Sequence, residues 1–334
     1  VFDLSSCFGL GQTEQDARNV IMIAMNDTRT IGLLVQSVSE IVSIPHASIQ
    51  DAPAMLGGPA QSHISGLIQL AEGMSRVIDL PALIQRRLRD VAESALVLLA
   101  MTALGAIASY AAASETHGFV DASLAHSDQL LRFDWLSLYT LVVHHPLLQR
   151  LGEASYGSVF VSPLVLLATF AWHGQRAHAR QFLLTFWIAI VLTLALFPLF
   201  PARGALAFLW HGPVPYMPTN GLYQGAIIPA LRVHAMTVVD LTMLKGLVCA
   251  PSFHTVCGVL FIVTAWPLAR LRLALVPLNL AMLLSTPVEG THYLTDMILG
   301  ALVALAAAKG DRTTAQLASQ FGIHTVSAHH RHPL

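Results

Sequence analysis

Charge is scarce in this chain. Asp, Glu, Lys and Arg make up 11% of the 334 residues against 54% hydrophobic residues, and the mean hydropathy is +0.62. An ordinary soluble domain carries about twice that share of charge, so the balance points to a multi-spanning membrane protein. The formal net charge of -1 offers no basic surface, and no nucleic-acid partner is expected. Cysteine is equally sparse. Cys7, Cys249 and Cys257 are three in number and unpatterned, which argues against a disulfide framework or a zinc site; no metal and no cofactor are expected. A signal-peptide pattern is lacking too, since Val1 opens directly into an amphipathic stretch.

What is present divides into two parts. Residues 1–85 alternate apolar and polar positions over short runs: 20–25, 30–35, 41–45, 63–70 and 76–80 each read as a strand, with turns at Asn26-Asp27 and Glu72-Gly73. Short strands so closely spaced predict a small antiparallel β-barrel. The stretches Val1-Phe2-Asp3-Leu4, Gly32 to Ile41 with Ile44-Pro45, Ile64-Ser65-Gly66-Leu67 and Val77-Ile78-Asp79-Leu80 resemble the CheW-type chemotaxis coupling proteins. The match spans only the latter part of that family's domain, so the barrel is expected to be partial. The resemblance implies a surface that binds chemoreceptors and a histidine kinase and does no chemistry.

Arginines 86, 87 and 89 mark a basic linker over 86–93, and then Ser94 to Ala113 runs without a charge. Further spans are expected at 158–172, 182–200, 251–269, 273–288 and 293–308, with an amphipathic, interfacial stretch at 136–148 and a long Pro- and Gly-rich loop over 201–250. The expected fold is therefore mixed: a partial β-barrel, then an all-α polytopic membrane domain of about six transmembrane helices over 94–308. The His-rich tail, 309–334, reads as disordered. Arg86, Arg87 and Arg89, Arg176 and Arg180, Arg270 and Arg272, and Lys309 and Arg312 all fall on one side of such a topology. That side is expected to be cytoplasmic, in a bacterial inner membrane, with both termini on it.

Arg203, His254 and His292 then share the opposite face. His254 follows Pro251 and Ser252 at a helix start, where free N–H groups favour an anion. Asp296 lies one turn beyond His292 and can fix its tautomer, leaving the other ring nitrogen free to attack phosphorus. His254 is the candidate general acid for the leaving alkoxide. Arg203 either clamps phosphate oxygens or snorkels to the headgroups. His144, His145 and the tail histidines read as incidental, and Lys245 as a solvated loop residue.

Pro251-Ser252-Phe253-His254 and Gly290-Thr291-His292-Tyr293-Leu294-Thr295-Asp296 resemble the second and third signature motifs of the type 2 phosphatidic acid phosphatase superfamily. Phe133-Asp134-Trp135 and the Pro-rich end of the third span are similar to its inositol phosphorylceramide synthase-like branch. The resemblance implies a metal-independent phosphatase or phosphotransferase working through a phosphohistidine on a lipid phosphate or a head group such as phosphoinositol. By it His292 would be the nucleophile, Asp296 its orienting partner, His254 the acid, and Ser252 a phosphate ligand. The arginine expected early in the third motif is absent, since Ser285-Thr286 stand there, and Leu196 occupies the place of the first motif's lysine. The alternative is a membrane-anchored chemotaxis adaptor with an inactive membrane part.

Overall fold

Where apolar residues alternate in the N-terminal stretch, strands form. The computed structural model describes residues 2–7, 13, 16, 18–26, 29–38, 41–50, 64–70 and 73–320. β1 (Phe2–Asp3) leads into α1 (Leu4–Cys7), and β2 (Val20–Asn26) and β3 (Arg29–Val35) make an antiparallel hairpin in the register Val20↔Val35 to Asn26↔Arg29. β1 joins β3 in parallel, giving the order β1-β3-β2, while β4 (Ile64–Leu70) and β5 (Gly73–Ile78) pair antiparallel in a second sheet. Four of the five expected strands form. The fifth, 41–45, does not: it is irregular and runs into a 3-10 turn at His46–Ser48. Ile41 is 96% exposed and Pro45 has no N–H to offer a ladder, so neither burial nor hydrogen bonding holds this segment in a sheet. Asp27, His63 and Glu72, which belong to the expected turns and strand, lie outside the described residues.

The chain divides into two compact units, 1–95 with 167–179, and 96–166 with 180–334. In the first, Leu33 and Leu83 are buried among Leu4, Ala24, Leu80, Ile84 and Trp172. Asp90 receives the Arg176 guanidinium in a fork, Nε to Oδ2 at 2.8 Å and Nη2 to Oδ1. A planar, two-point pair of this kind fixes orientation as well as charge.

The remaining helices are α2 (Leu80–Ser114), α3 (Asp121–Leu130), α4 (Trp135–Val143), α5 (Pro146–Trp172), α6 (Arg176–Leu196), α7 (Ala205–Leu209), α8 (Gln224–Arg232), α9 (Phe253–Ala265), α10 (Arg272–Glu289) and α11 (Leu294–Gln320). Every expected span falls on one of them: α2, α5, α6, α9, α10 and α11 in turn. Among the described residues three helical stretches are long and apolar enough to cross a membrane, Leu80–Ser114, Pro146–Trp172 and Arg176–Leu199. The protein is accordingly a membrane protein by length and composition.

Several boundaries differ from expectation for local reasons. Residues 86–93, expected as a linker, lie within α2, because Arg, Leu, Ala and Glu all favour helix. α5 begins at Pro146 rather than 158. Gln149, Arg150 and Glu153 lower hydropathy there yet are good helix formers, and Pro suits a first helical turn. The 201–250 loop contains α7 and α8, and α11 continues to Gln320, with 321–334 and their histidines outside the described residues. The interfacial stretch is α4, started by Asp134, whose carboxylate accepts the Ser137 N–H at 3.1 Å. Those Ser137 hydrogen bonds hold the exposed Asp134 carboxyl below the usual carboxylate range. α9 packs against both α10 and α11, and α3 against α11 and α7. These contacts place the starts of α9 and α11 beside one another.

Candidate active site

The site is assembled around the turn joining α10 to α11. Gly290 caps α10, and the His292 N–H donates back to the Pro287 carbonyl at 3.0 Å. Between them Thr291 has φ of +55°, a left-handed conformation that is rare for a β-branched residue. Such strain persists only where the surroundings enforce it. Here they do: the Thr291 carbonyl accepts the Ala205 N–H at 2.7 Å, and its side chain is fully buried. This backbone turns the His292 ring toward α11. Its Nδ1 lies 3.0 Å from Asp296 Oδ1, an ion-pair distance, though too bent for a regular hydrogen bond. Asp296 Oδ2 accepts the Tyr293 N–H at 2.9 Å, so the carboxylate is held by the backbone of the turn it serves. His292 is 3% exposed and Asp296 0%. A carboxylate is kept in so closed a place only with partners.

His254 comes from the first turn of α9. Ser252 is the N-cap, its Oγ accepting the Thr255 N–H at 3.3 Å, and its own N–H donates to the Asp296 carbonyl at 3.1 Å. Ser252 thereby ties the start of α9 to α11. Tyr156 of α5 stacks on His254 with centroids 4.0 Å apart, and its hydroxyl is 3.1 Å from His254 Nδ1. The His254 and His292 rings are neighbours, tilted by 49° with centroids 6.5 Å apart.

α3 supplies two buried acids on one face, Asp121 and Asp128, separated by two helical turns. Asp121 accepts the N–H groups of Arg203 and Gly204 at 3.1 Å and the Tyr293 hydroxyl at 3.0 Å. Asp128 accepts the N–H groups of Leu294 and Thr295 at 2.9 and 2.8 Å and the Thr295 hydroxyl at 2.7 Å. The first turn of α11 therefore has its orphan donors satisfied by a charged cap from another helix. Arg203 Nε lies 3.6 Å from Asp121 Oδ2, and its guanidinium stands over the rings of Phe119 and Phe208 at 5.4 and 5.7 Å. Its side chain keeps 39% exposure.

Sequence comparison supplies the family. The model of the PAP2 superfamily matches residues 122–309, more than half of the chain, and that of the CheW-like domain matches residues 1–88. The chain belongs to the PAP2 superfamily. Membership supports a phosphatase-type function, a phosphoric ester hydrolase. The N-terminal part is similar to the Chemotaxis protein CheW of Rhizobium meliloti (strain 1021), 27% identical over 92 residues, 28% of this chain and 59% of that protein. It is also similar to the Probable chemotaxis protein CheW of Rhizobium etli, 29% identical over 83 residues, 25% of this chain and 54% of that protein. The chain thus spans little more than half the length of either relative. No solved structure matches it.

Within this PAP2 superfamily chain the motif residues His254, His292, Asp296 and Ser252 converge, and Arg203 is tied to the segment around His292 because Asp121, which accepts its N–H, also accepts the Tyr293 hydroxyl. Sequence reading missed Asp121, Asp128, Tyr156, Tyr293 and Glu289. The seven-residue spacing of Asp121 and Asp128 was one available signal, because it places both acids on one helical face. Glu289 is 1% exposed. It accepts the Tyr216 hydroxyl at 2.7 Å and both the N–H and hydroxyl of Thr219 at 3.1 and 2.8 Å. It thereby pins the 216–220 segment to the end of α10. Burial, with the Glu289 charge behind it, raises the Tyr216 phenol above its usual range and keeps it a donor. Trp135 adds a bond from Nε1 to the Pro287 carbonyl at 2.9 Å and stacks on Tyr139.

Two glycines are required by this packing. A Cβ on Gly290 would overlap the His292 ring. Gly204 has φ of +102°, and a Cβ there would stand 2.5 Å from Thr291 Oγ1. The Gly204→Ala protein is expected to lose about 1–3 kcal/mol of stability. Its turnover should fall together with its melting temperature, measured in detergent; an unchanged melt would show that the loop yields freely.

Proposed function

We propose that this protein is a membrane lipid phosphatase or phosphotransferase that works through a phosphohistidine on His292. The observation that carries the reading is the neighbouring pair His254 and His292, with Asp296 beside the second. A near-attack approach of about 3–3.5 Å and a leaving-oxygen hydrogen bond of about 2.6–3.2 Å together span roughly 5.6–6.7 Å. The 6.5 Å between ring centroids suits a phosphoryl group lying between the two rings. Asp296 faces Nδ1, so Nε2 is the attacking atom. It forms the N–P bond as the P–O bond to the lipid breaks, and the departing alkoxide takes a proton from His254. Water or an alcohol such as inositol then attacks phosphorus, giving its proton to His254 and releasing His292.

Phosphate oxygens would be met by the N–H groups at the start of α9 after Ser252, by Arg203, and by the Thr291 hydroxyl. That hydroxyl is buried with no partner among the described residues. Six spans over 94–308 would put this face on the outer side of a bacterial inner membrane, with the CheW-like module (1–85, built as a partial barrel and joined through 86–93) on the cytoplasmic side. The inositol-type branch is favoured by the missing arginine at Thr286 and by Phe133-Asp134-Trp135. The test is an assay of the purified chain with labelled phospholipid, with and without inositol. Release or transfer of the labelled group supports the reading, and neither would remove it.

Tyr156 is a positioning residue in this scheme, its hydroxyl fixing the proton of His254 on the nitrogen away from it. Tyr156→Phe should lower kcat about tenfold to a hundredfold, leave KM nearly unchanged, and displace the pH profile of kcat. Identical pH profiles would show that the ring merely packs.

A second reading rests on the CheW-like match over 1–88. The module would dock a chemotaxis kinase or receptor and bring lipid phosphate chemistry under that assembly. Failure of the full chain to retain such a kinase in pull-down would remove it.

A further inference from the structure

Beside the two histidines lies a group that phosphoryl transfer uses only in part. Cys249, His292 and Asp296 each offer one ligand atom, these atoms lie within 4.8 Å of one another, and all three residues are buried. Asp296 Oδ2 stands 3.9 Å from Cys249 Sγ, and Asp296 Oδ1 stands 3.0 Å from His292 Nδ1. His292 Nδ1 and Asp296 Oδ1 make no regular hydrogen bond with any described residue. Two side chains at least nine-tenths buried thus aim polar atoms with unused capacity at one point, and a thiol completes the set. Around a tetrahedral cation, bonds of about 2.0 Å to N and O and about 2.3 Å to S put N···O near 3.3 Å and S···O near 3.5 Å. The His292–Asp296 spacing lies a few tenths of an ångström from the first value, while the thiol stands nearest the other carboxylate oxygen, at 3.9 Å, and has to close in on the cation.

We propose that Cys249, His292 and Asp296 form a binding site for a thiophilic divalent cation, zinc or cadmium, and that its occupation switches the protein off. The cation would take the place of the proton between His292 and Asp296 and displace the thiol proton of Cys249. One thiolate and one carboxylate then balance its two charges, leaving a neutral buried cluster, which a closed site tolerates far better than an unpaired ion. A fourth position is left for water. The mercapto set selects for soft and borderline cations over magnesium or calcium. The site itself rests on where the three groups lie. Its effect on turnover rests on the reading of His292 as the nucleophile.

The experiment separates the two. In the full-length chain carrying Cys7→Ala and Cys257→Ala, Cys249 is the sole thiol. Cadmium titration of this protein in detergent should develop cadmium–thiolate charge-transfer absorption that saturates at one cation per chain. Adding Cys249→Ser should abolish the absorption, and Asp296→Asn should weaken binding roughly tenfold or more. His292→Asn should do the same, and it supplies the comparison if the serine variant does not fold. Hydrolysis of labelled phospholipid should fall in step with occupancy and return on adding a chelator. Absence of the absorption, or absorption that Asp296→Asn and His292→Asn leave unchanged, overturns the site. Absorption without loss of hydrolysis keeps the site and overturns its action through His292.

Discussion

Turnover of a lipid phosphate should fall at least about a thousandfold when His292 is replaced by Ala. In the proposed reaction the ring supplies the attacking atom, and the neighbouring imidazole, His254, is held by its stacking on Tyr156. The loss should appear in kcat, because the phosphate contacts proposed for the start of α9 and for Arg203 would survive the change and KM should move little. Asp296→Asn should lie between wild type and His292→Ala, because the amide keeps the volume but no longer favours a proton on Nδ1. Phosphate release from purified protein is the measurement. Wild-type rates in His292→Ala would remove the phosphohistidine, whereas a rapid burst of alkoxide with the release step lost would relocate the effect to the second half of the reaction.

The second large effect is structural in origin. Asp121→Ala should cost about 3–5 kcal/mol and lower the melting temperature in detergent by many degrees. Its carboxylate gathers two backbone N–H groups and a phenol from segments more than eighty residues away, and the variant leaves all of them buried without an acceptor. The Arg203 ion pair adds less, since that side chain is partly exposed and screened. Asp121→Asn should be milder because one acceptor oxygen remains, although its NH2 then faces N–H donors. Activity should drop with stability, because Gly204 and Tyr293 flank the turn that aims His292. A melt unchanged by Asp121→Ala would mean that water replaces the carboxylate, and the rigidity attributed to this turn would go with it.

Short-range chemistry was legible in the sequence, and long-range partnership was not. His292 and Asp296 sit one turn apart, and His254 follows a proline and an N-cap, so three members of the site could be read from spacing alone. Tyr156 meets His254 across 98 positions and Asp128 meets Leu294 across 166. Nothing in either neighbourhood announces the partner. Arg203 was legible as a cation after a Pro-rich helix end, but its pairing with Asp121 and its seat over two phenylalanines depend on packing. In the N-terminal part, alternation identified the hairpin of β2 and β3, yet alternation alone overstated 41–45, where Ile41 and Val42 stay exposed. Hydropathy likewise found the three helical stretches long and apolar enough to cross a membrane while misplacing the start of α5, because a helix tolerates charge that a hydropathy window does not.

The two acids of α3 carry a consequence for the order of biosynthesis. Asp121 and Asp128 leave the ribosome early, whereas Tyr293, Leu294 and Thr295, which they hold, leave it more than 160 residues later. During that interval α3 keeps two carboxyl side chains that have yet to find most of their lasting partners. It must wait at a watery surface rather than settle among the apolar helices. α11, emerging long after α3, is therefore the helix that closes the candidate site, and a chain stopped short of Asp296 leaves the two acids of α3 without those partners.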